Sequence, residues 1–169
     1  MTQTPTHLPH SEIAASTLEK AKEIVTKRGE MGPPAIFAFT PDTNALVMPN
    51  GAFNSGMYPD IWKEIRNKLP ELTHIVVAQD TLTKTLKEGE AEVVPSVARA
   101  NGDESVSGAI IIMVFDRLYG MWGTSTTYRK NAEGKMVFGD SIVLDGNFTS
   151  RIPTPWDGES FVSSSAAVN

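Results

Sequence analysis

The spacing of apolar residues predicts two amphipathic helices. In residues 11–29 apolar side chains recur every three or four positions, Ser11 can cap the N-terminus, and Gly29 can end the helix. In residues 59–69, Pro59 suits the first helical turn, and an apolar face stands opposite a charged one. Each helix therefore has one face that must be buried against another element.

Short apolar runs separated by turn residues predict the strands. Residues 35–40 and 45–48 flank the turn sequence "PDTN" and predict a hairpin. Residues 106–115 are apolar, β-branched and continuous, which indicates a central strand buried on both faces. Three further strands are expected at residues 74–79, 121–129 and 136–144. Residues 93–97 are expected to be either a short strand or an edge segment. Gly139 and Asp140 predict a bulge in the last strand.

Two helices among many strands, the last three forming a meander, predict an α+β domain. We expect a mostly antiparallel sheet of about five to six strands, with both helices packed on one face. Residues 1–10 are expected to be a disordered leader, residues 11–150 a single domain, and residues 151–169 a polar, flexible tail.

Composition narrows the classes of partner. The chain has 169 residues, a length typical of one domain, and its formal net charge of -5 does not suggest a nucleic-acid partner. The absence of cysteine excludes disulfides and thiolate chemistry. The first ten residues lack the apolar segment of a secretory signal, and the longest apolar run, 109–115, is too short to cross a bilayer. We expect a cytoplasmic protein that binds neither nucleic acid nor membranes.

No complete catalytic motif is present in the sequence. "GAFNSGMY" (51–58) has the glycine spacing of a phosphate-binding loop, but Met57 and Tyr58 stand where lysine and a hydroxyl residue are required. Two of the three histidines fall in the leader, and His74 begins a strand without metal-ligand spacing around it. Four aspartates at strand ends are interpreted as turn residues, which could do acid–base work only if they converge: Asp80, Asp116, Asp140 and Asp145. We predict no catalytic residue, metal or cofactor, and favour a protein that is not an enzyme.

Eight residues are candidates for contact with a ligand or partner. They are Asn50, Phe53, Asn54 and Tyr58 from the loop, with Arg117, Trp122, Tyr128 and Arg129 from the strands. The loop leads into a helix N-terminus, which can hold an anion, and either arginine can pair with one. Trp122 and Tyr128 share one strand face. They belong to the core if a helix covers that face, and to a partner interface if it is open.

The order of elements over residues 11–144 resembles that of small uncharacterised α+β proteins of bacterial and phage genomes. The resemblance rests on "AIFAFTPDTNALVMP", "DIWKEIRNKLPELTHIVVAQD" and "SGAIIIMVFDRLYG", none of which is a catalytic motif. It implies a fold and no chemistry. The leading hypothesis is a binding or accessory protein that contacts another protein or itself, with a phage or mobile element as the candidate source. The alternatives are a ligand-binding protein or enzyme that uses the 50–58 loop, and a structural virion component.

Overall fold

The computed structural model describes residues 10–47, 54–84, 86–118, 120–144, 152–153 and 155–156. The helices are α1 (His10–Arg28), α2 (Tyr58–Lys68) and α3 (Pro95–Ala100), and a 3-10 turn (Ser55–Met57) precedes α2. The strands are β1 (Ala35–Phe39), β2 (Asn44–Val47), β3 (His74–Thr83), β4 (Ser107–Asp116), β5 (Gly120–Lys130) and β6 (Met136–Leu144). No helix among these residues is long and apolar enough to cross a membrane.

The strands form one six-stranded sheet in the order β2-β1-β3-β4-β5-β6, and every neighbouring pair is antiparallel. The predicted α+β class, hairpin and terminal meander are confirmed. The predicted bulge is also present, because Thr126 pairs with Ser141 while Tyr128 pairs with Phe138. Two residues of β6, Gly139 and Asp140, therefore stand opposite Thr127 alone.

The two long helices pack on opposite faces of the sheet, so the expectation that both cover one face is not confirmed. The core under α1 contains Val25 and, from the sheet, Phe37. The core under α2 contains Trp62 and, from the sheet, Ile36. Successive strand residues point to opposite faces. The central strands are apolar without alternation because both of their faces are covered.

Three segments differ from the sequence-based expectations. Residues 93–97 do not form a strand, since α3 begins at Pro95, which suits the first turn of a helix. Strand β3 continues past residue 79 to Thr83 along the length of β4. In the segment expected to be a flexible tail, Ile152 and Trp156 are buried against α2, and the indole N–H of Trp62 donates to the carbonyl of Pro153 at 3.0 Å.

Candidate functional site

Polar side chains gather at the two ends of strands β3, β4 and β5. At one end lies the His–Asp cluster, which consists of His10, His74 and Asp116. At the other end lies the basic pocket, of about 630 Å³. Its charged and phenolic lining consists of Glu30, Asp80, Arg99, Tyr128, Arg129 and Lys130. Helix α1 begins at the first site, and the residues that follow its C-terminus line the second.

Three elements that are distant in the sequence meet in the His–Asp cluster. His74 is the first residue of β3, Asp116 is the last of β4, and the antiparallel register pairs them directly. His10, the first residue of α1, reaches the same point because the apolar face of α1 lies across the sheet. All three side chains are buried, with His10 and Asp116 at most 1% exposed.

Both histidines contact the same carboxylate oxygen. Nε2 of His10 lies 2.7 Å from Oδ2 of Asp116, and Nε2 of His74 lies 3.0 Å from it. The other oxygen, Oδ1, accepts the backbone N–H of Leu118 at 2.8 Å. Burial by itself would raise the pKa of Asp116, but the hydrogen bonds from His10, His74 and Leu118 outweigh it and hold that pKa well below its usual range.

Aromatic side chains lie beside both imidazoles of the cluster. The ring centroids of His10 and Trp122 are 6.5 Å apart, and those of His74 and Phe39 are also 6.5 Å apart. Nδ1 of His74 is 2.9 Å from Oγ1 of Thr73. Two imidazoles and a carboxylate whose ligand atoms lie within 4.8 Å of one another can share protons or hold a metal ion.

The basic pocket is organised around Tyr128. Its ring lies across Gly108, the residue paired with it on β4, where any Cβ would come within 2.5 Å of the ring. The Tyr128 hydroxyl donates to Oδ2 of Asp80 at 3.1 Å, and the same oxygen accepts the backbone N–H of Met31 at 2.9 Å. Burial, reinforced by the charge of Asp80, raises the pKa of Tyr128 to about 12. The hydroxyl therefore stays protonated at neutral pH and is a hydrogen-bond donor.

Three cations line the pocket, and two carboxylates accompany them. Arg99 comes from α3, while Arg129 and Lys130 end β5. Within the residues that the structure describes, none of the three forms an ion pair. Arg129 donates to the hydroxyl of Ser107 at 2.5 Å, which holds its guanidinium at the rim. The pocket carries a local positive excess in an acidic chain.

The structure separates the eight predicted contact residues into different environments. Tyr128 and Arg129 meet in the basic pocket. Arg117 is exposed at the opposite end of β4, and Asn54 is exposed before α2, where its side chain accepts the N–H of Gly56. Two are core residues instead of exposed contacts: Trp122 under α1 and Tyr58 stacked on Trp62. Asn50 and Phe53 lie outside the described residues.

The His–Asp cluster was not predicted from the sequence. The sequence pattern predicts that His10 belongs to the leader and that Ser11 caps the helix. The structure instead makes His10 the first residue of α1, so Ser11 lies within the first turn and is not the cap. Asp116 was interpreted as a turn residue. One signal was available: His74 opens a predicted strand and Asp116 closes another, so an antiparallel pairing of the two strands brings them together.

Comparisons with protein-family models, with curated proteins and with solved structures found no match for this chain. The resemblance to small phage and bacterial proteins therefore stays a prediction.

Proposed function

We propose that this chain is a binding protein whose basic pocket takes a small anion that carries a carboxylate or phosphate group. The observation that supports it is that Arg99, Arg129 and Lys130 line one pocket without ion-pair partners among the described residues. Guanidinium groups suit carboxylate and phosphate because their N–H donors match two acceptor oxygens at once.

The size and lining of the pocket support a small ligand. Its volume of about 630 Å³ falls in the range of small-molecule sites, roughly 300–1,000 Å³. Asp80 is already engaged by Tyr128 and by the backbone of Met31, so it acts as part of the wall. A ligand anion would meet the guanidinium groups first, and an additional polar group on it could reach the Tyr128 hydroxyl.

Titration calorimetry with inorganic phosphate and with citrate tests this proposal. We expect saturable binding, and we expect Arg129→Gln to weaken it about tenfold or more, since a hydrogen bond to a charged group contributes about 1.5–3 kcal/mol. Arg117→Gln is the matched control, because it removes the same charge from an exposed arginine at the other end of the sheet. The proposal is wrong if neither anion binds, or if both variants lose affinity equally.

A second candidate function, contact between copies of this chain, is favoured by the exposure of β6. This strand is the last in the sheet formed by the described residues, and it presents apolar side chains to solvent. Val137, Ile142 and Val143 are 47%, 62% and 55% exposed. A long apolar edge strand is a template for pairing with another strand, and two copies could pair β6 antiparallel about a two-fold axis.

Size-exclusion chromatography with light scattering tests the second candidate. We expect a dimer that Ile142→Lys converts to a monomer, because the lysine places a charge in the middle of the edge. Leu46→Lys is the control: Leu46 is 55% exposed on β2, the opposite edge of the same sheet. A monomer in the unmodified protein, or a dimer that only Leu46→Lys disrupts, contradicts pairing through β6.

A further inference from the structure

The hydrogen bonds around Thr73 determine where the ring proton of His74 lies. The Thr73 hydroxyl donates its one proton to the carbonyl of Phe39 at 3.1 Å. Toward Nδ1 of His74, 2.9 Å away, the same oxygen can therefore only accept. It follows that Nδ1 carries a proton and that Nε2 is the nitrogen directed at Asp116.

This arrangement places Nε2 of His74 and a carboxylate oxygen 3.0 Å apart. If the ring is neutral with its proton on Nδ1, two lone pairs face each other in a buried site, which is repulsive. A positive centre between them removes the repulsion. That centre is either a second ring proton or a metal ion, and a neutral imidazole with Nδ1–H directed at an oxygen is the form in which histidine ligates metals.

We propose that the His–Asp cluster is a site for a divalent transition-metal ion, with Zn²⁺ as the reference case. Its ligands would be Nε2 of His10, Nε2 of His74 and Oδ2 of Asp116. Imidazole nitrogen and carboxylate oxygen are zinc ligands, and three protein ligands with one further position form a recurrent zinc geometry. The site is independent of the basic pocket, which lies at the other end of the strands.

The two nitrogen–oxygen distances in the cluster are close to those that a metal requires. Tetrahedral ligands at about 2.0–2.2 Å from zinc lie roughly 3.3 Å from one another. The two nitrogen–oxygen separations are 2.7 and 3.0 Å, so each imidazole would need to move a few tenths of an ångström away from Oδ2. The three ligand atoms lie within 4.8 Å of one another. The supporting contacts for such a site are already made, by Thr73 to His74 and by the Leu118 N–H to Oδ1 of Asp116.

Zinc titration of the full chain, prepared without a histidine tag, tests the proposal. After treatment with a chelator, calorimetry should show uptake of one Zn²⁺ per chain. Long-range ¹H–¹⁵N spectra should show a metal-induced shift of Nε2 in two of the three histidines. His74→Gln should abolish this uptake, whereas His7→Gln, the matched control in the preceding segment, should leave it intact.

Thr73→Val gives a second readout that does not remove a ligand. Loss of the oxygen that orients His74 should weaken zinc binding about 10–100-fold while one ion per chain still binds. If His74→Gln fails to fold, the Co²⁺ form of the unmodified protein still decides the matter, since its visible absorption reports nitrogen and oxygen ligands in a four-coordinate site. Absence of zinc uptake by the unmodified protein, or uptake that survives His74→Gln, would show that the cluster holds protons only.

Discussion

The same three strands end in two different polar sites. At the His–Asp cluster, a carboxylate and two imidazoles are buried, and both imidazoles contact the same carboxylate oxygen. At the basic pocket, the charged groups surround a space of about 630 Å³ and mostly do not pair. The cluster is completed by the start of α1, which brings a side chain into it, whereas the pocket lies beside the residues that follow the end of α1.

This difference separates groups that hold the fold together from groups that remain available to a ligand. A buried carboxylate without its hydrogen bonds is strongly destabilising, so Asp116 should dominate the electrostatic contribution to stability. Exposed cations at the pocket contribute little to stability because solvent screens them. Changes at the cluster should therefore alter the free energy of unfolding, and changes to the pocket cations should alter mainly binding.

Asp116→Asn should give the largest effect on stability. Both imidazoles contact Oδ2 and the Leu118 N–H donates to Oδ1, so an amide, which has only one oxygen, must direct its NH2 group at one of these partners. We therefore expect a loss of about 3–5 kcal/mol in the free energy of unfolding. Urea denaturation in the presence of a chelator measures it. Asp140→Asn, on exposed β6, removes the same charge and should change stability by less than about 0.5 kcal/mol. Equal losses in the two variants would contradict the special role of the cluster.

Gly108→Ala should give the next largest effect, at the pocket end. The new Cβ would lie 2.5 Å from the Tyr128 ring, so the ring must move, at a cost of about 1–3 kcal/mol. A double-mutant cycle with Tyr128→Ala identifies the cause, because the added methyl group should cost close to nothing once the ring is gone. An undiminished cost in the Tyr128→Ala background would place the strain elsewhere.

Tyr128→Phe should change the response to alkaline pH. Burial raises the pKa of Tyr128 from 10.0 to about 12, so its neutral form is favoured in the folded state. The contribution of neutral Tyr128 to the free energy of unfolding is complete below pH 10 and is lost as the pH rises through 12. Absorbance titration of tyrosinate and urea denaturation at both ends of this range measure it. Burial also raises the pKa of Tyr58 to about 12, so Tyr128→Phe should still lose the part of its stability at alkaline pH that is due to Tyr58.

Lys84→Met should give the smallest effect. Lys84 lies 2.7 Å from Asp103 beside the pocket end of the sheet, and its hydrogen bond is the largest cause that lowers the pKa of Asp103 to about 2. The stabilisation is present above pH 3.8, the usual pKa of the carboxyl, and is lost as the pH falls toward 2. In the variant, carbon NMR should show the Asp103 pKa closer to 3.8 but still lowered by Ser105. An unchanged titration would contradict this ion pair.

The sequence predicted the elements well because their signals are local. The "PDTN" turn, the Gly139 bulge and the apolar run before Asp116 each depend on a few neighbouring residues. The placement of α1 and α2 on one face was wrong in spite of a signal against it. A strand predicted to be buried on both faces needs cover on both, and this requirement already implied a helix on each side.

The candidate site was harder to predict because its residues meet only in the tertiary structure. Tyr128 and Arg129 were identified as contact residues, but Arg99 and Glu30 join them from a short helix and from a loop. His10 lies 106 residues from Asp116, and no spacing rule connects them. Knowledge of the strand register would have been sufficient to bring His74 to Asp116.

The contact between His10 and Asp116 also constrains the order in which the chain can fold during synthesis. Helix α1 is made before any of the described strands, yet the carboxylate that contacts its first residue is 106 residues further on. At about 5–20 residues per second, the ribosome needs roughly 5–20 seconds to reach it. During that interval the apolar face of α1 lacks the part of its cover that β4 supplies, so some of this apolar surface stays exposed on the nascent chain. The first of the described helices to be made is therefore among the last to complete its contacts.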